Sequence, residues 1–350
     1  MTTTRMTRGA AALLLAGASA CGDSTRIADP LESARLAKTP PAGFTMYTTK
    51  GATDVVTTPV GGVYLAGGGT DLDAGMTWLL ARGGTRSGGG YGDVVVLRTG
   101  GTNGYNSYLQ RLGANAVTSI VITSRAGADA PEVLNAINKA EVLFLTGGDQ
   151  STYVNLWRGT QLQARVNARI AAGVPIGGTS AGLAVLGQYV YSAQGISTTS
   201  TVALTNPFDA SITLEPALFT VPMLANVITD SHFVIRDRMG RLLTFLARLQ
   251  QANTASAPRA IGVDEGTGVG VLPGGGTTTF GTASGAYYLS VAGTVTRTCV
   301  ANTPLTYAPV SAVRVRAGQA FNVSSWTGTT PVYTYSVNRG VVTSSTGSLY

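Results

Sequence analysis

The chain has 350 residues, and its 24 Lys and Arg against 17 Asp and Glu give a formal net charge of +7. The basic residues are scattered, with no Lys/Arg-rich block interleaved with aromatic residues, so we do not expect a nucleic-acid partner. Two cysteines and one histidine argue against both a disulfide scaffold and a Cys/His zinc site. We therefore expect no metal, and the sequence implies no organic cofactor.

Residues 1–20 have the order of a secretory signal peptide. Arg5 and Arg8 precede an apolar run from Gly9 to Gly17, and the small residues Ala18-Ser19-Ala20 follow. The apolar run is much shorter than the roughly 20 residues of a membrane-spanning helix. We expect this segment to be removed and the protein to be exported, to the extracellular space or to the cell surface.

The residue after this segment, Cys21, leaves two forms of processing open. The Ala-x-Ala pattern suits an ordinary signal peptidase. Small residues before a cysteine also resemble a bacterial lipobox, although Ala18 stands where a lipobox usually has Leu. We favour lipid attached to Cys21, which would anchor the protein to the outer membrane or cell surface. Without the lipid, Cys21 and Cys299 could form a disulfide outside the cell.

Beyond the N-terminus, the sequence predicts three regions. Residues 21–45 contain three prolines and are predicted to be a tether. In residues 46–275, short β-branched runs alternate with helix-like segments, which predicts an α/β domain with a mostly parallel sheet. Residues 276–350 are rich in Thr, Ser, Val and Gly and predict a β-rich C-terminal extension. The strand candidates of the α/β domain are Val63–Ala66, Val94–Leu97, Ile120–Thr123, Val142–Thr146 and Val174–Gly177, and its helix candidates are Ala74–Ala81, Tyr105–Leu112, Pro131–Ala140 and Tyr153–Ala172.

The segment Gly178-Thr179-Ser180-Ala181-Gly182 has the Gly-x-Ser-x-Gly form of a nucleophile elbow. A strand candidate precedes it, and the residues after it can open a helix. Glycines on both sides of Ser180 would leave room for a sharp turn that exposes the hydroxyl. Ser180 is therefore the candidate nucleophile.

His232 is the only histidine in the chain. A serine hydroxyl is a poor nucleophile until a base takes its proton, and histidine is the usual base. His232 follows the apolar segment Val227–Thr229, so it would lie at the end of a strand, where catalytic side chains project in open α/β sheets. Any Ser–His mechanism in this chain must use it.

Charged residues cluster around His232, namely Asp230, Arg236, Arg238 and Arg241. The planar guanidinium of arginine binds carboxylates with two parallel hydrogen bonds. The cluster therefore predicts a site for an acidic substrate. The alternative is the solvated start of an amphipathic helix, because apolar residues continue after Arg241 at helical spacing.

Four segments of this chain resemble the corresponding segments of cyanophycinases, and the similarity continues in matching order from Gly62 to Leu272. The resemblance implies a flavodoxin-like fold related to class I glutamine amidotransferase domains, with helices flanking the sheet. The wider family includes dipeptidase E-type peptidases that use a Ser-His-acid triad. The four segments are Thr146–Gln150, Gly177–Gly182, Asp230–Arg241 and Ile261–Glu265.

Carried over by position, the resemblance implies Ser180 as nucleophile and His232 as base. Gly148 and Ala181 would offer their backbone N–H groups as the oxyanion hole. Ser231 stands where cyanophycinases usually carry Gln, so one amide of the pocket is replaced. The residues that the resemblance implies for substrate binding are Gln150, Asp230, Arg236, Arg238 and Arg241.

The acid of the triad has three candidates. Glu265 follows the strand candidate Ile261–Val263 and corresponds to the acid of the dipeptidase relatives. Asp264 is its neighbour, and Asp209 lies between the nucleophile and the histidine in sequence. We favour Glu265.

The resemblance implies an exported serine peptidase that hydrolyses cyanophycin, a polyaspartate with arginine on each side-chain carboxyl, to β-aspartyl-arginine dipeptides. One alternative is an exported aspartyl or isoaspartyl peptidase of the same fold. A second is a non-catalytic binding lipoprotein of the cell surface. The expected partner is the polypeptide substrate, and a homodimer stays open.

Overall fold

The computed structural model describes residues 43–49, 54, 56–252, 257–281, 284–291 and 293–350. The predicted signal peptide, Cys21 and nearly all of the predicted tether lie outside these residues. Within them, no helix combines the length and the apolar character needed to cross a membrane.

Strands and helices alternate in the first half of the described chain, whereas strands dominate the last third. The strands are, in chain order, β1 (Phe44–Thr48), β2 (Val63–Ala66), β3 (Val94–Arg98), β4 (Val117–Ile122), β5 (Val142–Leu145), β6 (Ile176–Thr179), β7 (Tyr189–Tyr191), β8 (Leu214–Pro216), β9 (Val227–Asp230), β10 (Arg259–Val263), β11 (Gly268–Val271), β12 (Thr277–Phe280), β13 (Ala286–Ser290), β14 (Thr296–Thr298), β15 (Thr306–Val315), β16 (Phe321–Asn322), β17 (Thr327–Gly328), β18 (Tyr333–Asn338) and β19 (Val341–Ser344). The helices are α1 (Asp73–Arg82), α2 (Gly104–Arg111), α3 (Arg125–Ala128), α4 (Pro131–Lys139), α5 (Gln150–Trp157), α6 (Gln161–Ala171), α7 (Ala181–Ala184), α8 (Ser200–Thr205) and α9 (Met239–Ala252), with a 3₁₀ turn at Pro222–Leu224.

The first sheet has the order β1-β4-β3-β5-β6-β2-β11-β12. Its five central strands, β4 to β2 in this order, pair in parallel, and β1, β11 and β12 add antiparallel edges. Counted from β3, the order β4-β3-β5-β6 is the 2-1-3-4 order of flavodoxin-like sheets. The predicted fold class, an α/β protein with a mostly parallel sheet flanked by helices, is confirmed.

Helices cover both faces of this sheet. Successive strand residues point to opposite faces, so Tyr64 packs with α1 and α2 while Leu65 packs with the core around α4 and α6. Every residue of β2 and of β5 is buried. This burial explains why both strands are continuous apolar runs in the sequence.

The second sheet has the order β19-β18-β15-β13-β10-β9-β7-β8. β9 is parallel to β7 and to β10, and the remaining pairs are antiparallel. The β-rich C-terminal region is therefore present, and its strands β13, β15, β18 and β19 continue the sheet that contains β9. One face of the sheet packs on α9 through Ile228 and Leu289, and the other joins the core of the first sheet through Ile261 and Tyr288.

The predicted helix from Tyr153 to Ala172 is wrong, because two helices, α5 and α6, occupy this stretch. Gly159 has a φ of +73°, a left-handed conformation that ends α5. The side chain of Thr160 then accepts a hydrogen bond from the backbone N–H of Gln163 and caps α6. Apolar periodicity continues across the break, so periodicity alone did not reveal it.

Candidate active site

Ser180 lies in a sharp turn between β6 and α7 and has a φ of +53°, which is uncommon for a residue with a side chain. A Cβ on Gly178 would lie 2.4 Å from the backbone of Gly182, and a Cβ on Gly182 would lie 2.3 Å from the carbonyl oxygen of Leu145. Neither position accepts a larger residue without movement of the backbone. The two glycines are therefore required for a turn that exposes the serine hydroxyl.

Three side chains from three strand ends form a hydrogen-bonded chain. The Oγ of Ser180 lies 2.7 Å from Nε2 of His232, and Nδ1 of His232 contacts Oε1 of Glu265. Ser180 follows β6 of the first sheet, whereas His232 and Glu265 follow β9 and β10 of the second. The arrangement has the geometry of a nucleophile, a base and an acid that orients the base.

The other two carboxylates considered as the acid are bonded elsewhere. Oδ1 of Asp264 accepts hydrogen bonds from the backbone N–H groups of Val234 and Ile235, at 2.9 and 3.2 Å. Oδ1 of Asp209 accepts from the backbone and the hydroxyl of Ser211. Of the three candidates, Glu265 is the one that lies against His232.

The surroundings of His232 keep its imidazole neutral. Burial lowers the pKa of His232 below its ordinary value of 6.5, and the positive charges of Arg236 and Arg238 lower it further. The hydrogen bond to Glu265 raises it, without reversing the direction. A neutral ring whose Nδ1–H donates a hydrogen bond to Glu265 leaves Nε2 free to accept the serine proton.

Ser180 and His232 line a cavity of about 250 Å³. A Cβ on Gly147 would lie 3.4 Å from the Cβ of Ser180, so the loop after β5 passes directly beside the serine. The remaining lining is mostly polar, and of the predicted site residues it includes Gly148, Gln150, Ala181, Arg236 and Arg238. Ser231 also contributes to the wall.

Residues 102–218 match the family described as Peptidase family S51, and this range includes Ser180, Gly148 and Gln150. The matched residues make up less than half of the chain. His232 and Glu265 lie beyond the matched residues, in the part of the chain that the geometry brings to Ser180.

Curated proteins similar to part of this chain are named cyanophycinase. The one from Geminocystis herdmanii is 32% identical over 164 residues, which are 47% of this chain and 54% of the relative. The one from Trichormus variabilis is 30% identical over 165 residues, 47% of this chain and 50% of the relative. The chain thus spans about half the length of the curated relatives it matches.

Two solved structures are similar to the chain. A peptidase from an acI-B1 Actinobacterium has a TM-score of 0.48 at 17% identity, covering 76% of this chain and 98% of that structure. A putative peptidase E protein from Listeria monocytogenes has a TM-score of 0.42 at 15% identity, covering 64% of this chain and 99% of that structure.

Two residues predicted for the substrate pocket, Asp230 and Arg241, lie behind its wall instead. The Nη2 and Nε atoms of Arg241 donate to the two carboxylate oxygens of Asp230, at 2.5 and 2.8 Å. Arg241 also donates to the carbonyl of Thr198 and lies 5.1 Å from the ring centroid of Tyr191. Both side chains are buried and their polar atoms are engaged, so neither lines the cavity.

This ion pair has a structural effect on the site. Burial disfavours the charged form of Asp230, but Arg241, Arg238 and the backbone N–H of Ser231 together outweigh it and hold the pKa of Asp230 below its usual range. Removing one partner of such a pair leaves a buried charge uncompensated, which costs about 3–5 kcal/mol. The pair joins the end of β9 to α9 and so fixes both sides of the turn that carries His232.

Arg238 connects this pair to the cavity, because its Nη1 donates to Asp230 and to the carbonyl of Ser231, at 3.2 and 2.9 Å.

A glycine loop after β2, residues 67–69, belongs to the site and was not among the predicted site residues. A Cβ on Gly68 would lie 2.3 Å from Cε1 of His232, and one on Gly69 would lie 3.2 Å from Oε2 of Glu265. The backbone of Gly67 accepts a hydrogen bond from the N–H of His232 at 2.7 Å. The run of three glycines directly after the buried strand β2 was the available signal in the sequence.

Replacing Gly68 with Ala should displace the imidazole of His232 while leaving the residue itself in place. The added Cβ would overlap the His232 ring and force it away from Ser180, and a displacement of about 1 Å can reduce a rate about 100-fold. We expect the rate at which a fluorophosphonate labels Ser180 to fall by about that factor. The labelling rate is measured by mass spectrometry, beside a thermal unfolding curve.

The matched control is Gly88→Ala, because Gly88 also has a positive φ, of +91°, and nothing lies within 4 Å of a Cβ there. It should label like the wild type. A folded Gly68→Ala protein with the wild-type labelling rate would contradict the requirement for space beside the ring.

Proposed function

We propose that this protein is an exported serine peptidase that hydrolyses cyanophycin to β-aspartyl-arginine dipeptides. The observation that carries the proposal is the Ser180–His232–Glu265 chain beside a polar cavity with two arginines in its wall. The curated proteins similar to part of this chain, which are named cyanophycinase, support the substrate.

The proposed chemistry follows from the positions of the three side chains. Release of a dipeptide with its arginine still attached requires cleavage of the aspartate backbone. Oγ of Ser180 attacks the backbone carbonyl carbon, and Nε2 of His232 takes the serine proton. Glu265 stabilises the imidazolium that forms. His232 then gives this proton to the leaving amine, and a water molecule activated by His232 hydrolyses the acyl-enzyme.

The charge that develops on the carbonyl oxygen needs donors beside Ser180. The backbone N–H groups of Gly148 and Ala181 are proposed for this role. Both residues line the cavity, one at the loop after β5 and the other at the first residue of α7.

Substrate binding is proposed for Gln150, Arg236 and Arg238, which line the same cavity. The side chain of Arg236 is 54% exposed, and its ion pair with Glu265 is long, at 3.9 Å. Its guanidinium is therefore available to a carboxylate. Each arginine unit of cyanophycin carries a free α-carboxylate, so Arg236 can pair with the polymer beside the bond to be cleaved.

A second candidate is an aspartyl or isoaspartyl peptidase of the same fold acting on other peptides. It is favoured by Ser231, a short side chain in the cavity wall at the position where cyanophycinases usually carry Gln. A non-catalytic surface-binding lipoprotein is less well supported, because binding alone would not require the hydrogen-bonded chain at Ser180.

The substrate is tested by incubating the purified chain without residues 1–20 with insoluble cyanophycin. We expect soluble β-aspartyl-arginine in the supernatant, detected by mass spectrometry, and none from the Ser180→Ala protein. A panel of α- and β-aspartyl peptides serves as the comparison. Cleavage of panel peptides with no dipeptide from cyanophycin would select the second candidate.

The base is tested by His232→Ala and by the pH profile. Loss of a triad member typically reduces kcat about 10⁴- to 10⁶-fold, and no second histidine is present to replace His232. Activity should decline toward acid pH as the ring is protonated, with a midpoint below 6.5 because the pKa of His232 is lowered. Near-normal turnover by His232→Ala would refute the mechanism.

Export is proposed from residues 1–20, and attachment through lipid from Cys21. The mass of the N-terminal peptide of the protein from its native host tests both. A diacylglyceryl mass on Cys21 would support the lipoprotein, an unmodified N-terminus near residue 21 would support plain secretion, and an intact Met1 would contradict export.

A further inference from the structure

A second and larger cavity, of about 620 Å³, opens beside α1 and α2. Its lining comes from residues 70–73, which come after β2, and from residues 98–111, which begin at the last residue of β3. β2 and β3 both belong to the parallel sheet, so the cavity lies at the carboxyl edge from which Ser180 also projects.

The glycine loop 67–69 connects the two cavities. Gly68 contacts the ring of His232, and Thr70, two residues later, lines the second cavity. Consecutive Cα atoms lie 3.8 Å apart, so Thr70 is within about 8 Å of Gly68. One substrate molecule could therefore contact both cavities.

Two carboxylates line the second cavity, and each is oriented by a tyrosine. The hydroxyl of Tyr105 donates to Oδ2 of Asp71 at 2.7 Å, and the hydroxyl of Tyr108 donates to Oδ1 of Asp73 at 2.9 Å. In the part of the chain that the structure describes, neither carboxylate forms an ion pair. Burial raises the pKa of Asp71, because it disfavours the charged carboxylate. A bound cation would offset this free-energy cost.

The same wall already holds a guanidinium in the structure. Arg111 lies over the ring of Tyr108, with 5.4 Å between its Cζ and the ring centroid. The planar cation of arginine is attracted to the face of an aromatic ring, and Tyr105 places a second ring in the lining. A fixed positive group is also present, because Arg98 donates to the backbone carbonyls of Gly100 and Thr102.

We propose that the second cavity binds an Nα-acylated arginine unit of the substrate. Its guanidinium would lie beside the tyrosine rings and against the carboxylates of Asp71 and Asp73, and its α-carboxylate would face Arg98. This inference rests on the proposed function, since every repeat of cyanophycin presents such a unit. The polymer is then held at two points, and the second contact raises its affinity without changing the cleavage step.

Nα-acetyl-L-arginine is the direct probe, titrated by calorimetry into the Ser180→Ala protein. Asp71→Asn combined with Asp73→Asn should weaken binding about tenfold or more, as for the loss of hydrogen bonds to a charged group. Nα-acetyl-L-citrulline has no positive charge. Its affinity for the site with both aspartates intact should be no higher than the affinity of Nα-acetyl-L-arginine for the double variant. The control variant is Asp54→Asn, which removes an exposed carboxylate elsewhere and should bind like the parent.

Unchanged affinity in the double variant would overturn the inference. A loss of affinity in Arg236→Ala alone would also overturn it, since the probe would then occupy the cavity at Ser180. Asp73→Asn alone provides a folded variant if the double variant unfolds, because Asp73 is exposed. These measurements need no turnover, so their outcome does not depend on whether the protein hydrolyses cyanophycin.

A kinetic readout separates affinity from chemistry. With cyanophycin as substrate and Ser180 intact, the double variant should raise KM about tenfold and leave kcat unchanged. The rate of Ser180 labelling by a fluorophosphonate should not change. An equal fall in kcat and in labelling would show that the substitutions disturb His232 instead, and would also overturn the inference.

Discussion

The site depends on close backbone contact where the glycine loop after β2 meets the residues that follow β9 and β10. The N–H of His232 donates to the carbonyl of Gly67, and a Cβ on Gly67 would lie 1.9 Å from the carbonyl oxygen of Asp264. Ser180 follows a strand of the first sheet, and His232 and Glu265 follow strands of the second. The 2.7 Å contact between serine and histidine therefore holds only while these two backbones remain in contact.

Charge is used differently on the two sides of the cavity wall. Asp230 and Arg241 neutralise each other in the interior and fix the turn that carries His232, whereas Arg236 remains largely exposed. Arg238 belongs to both environments, since it donates to Asp230 and also lines the cavity. One cluster of charged residues thus lies partly behind the cavity wall and partly in it, with the boundary at Arg238.

The sequence was most informative where burial is complete. β2 was predicted with its observed bounds, because a strand covered on both faces is a short apolar run ended by turn residues. The elbow at Ser180 could be predicted because the Gly-x-Ser-x-Gly pattern is contiguous in the sequence. The order of the parallel strands was expected only from the resemblance to a known family, because the periodicity of apolar residues does not indicate which strands pair.

The hydrogen-bond partners of polar side chains could not be predicted from the pattern of residues alone. Asp230 and Arg241 are eleven residues apart, and their pairing depends on how α9 packs on β9. Asp264 and Glu265 are neighbours, and only the path of the backbone after β10 decides which one faces His232. The break at Gly159 was hidden because apolar residues recur on both sides of it. Each of these outcomes depends on tertiary packing.

The presence of a single histidine, placed at the junction of the two sheets, has a practical consequence for spectroscopy. Every imidazole resonance in the NMR spectrum of the untagged protein must come from His232. The ring nitrogens would report the tautomer, the protonation state and the hydrogen bond to Glu265 without any assignment by mutagenesis. A polyhistidine purification tag would obscure this natural probe, so a different affinity tag preserves it.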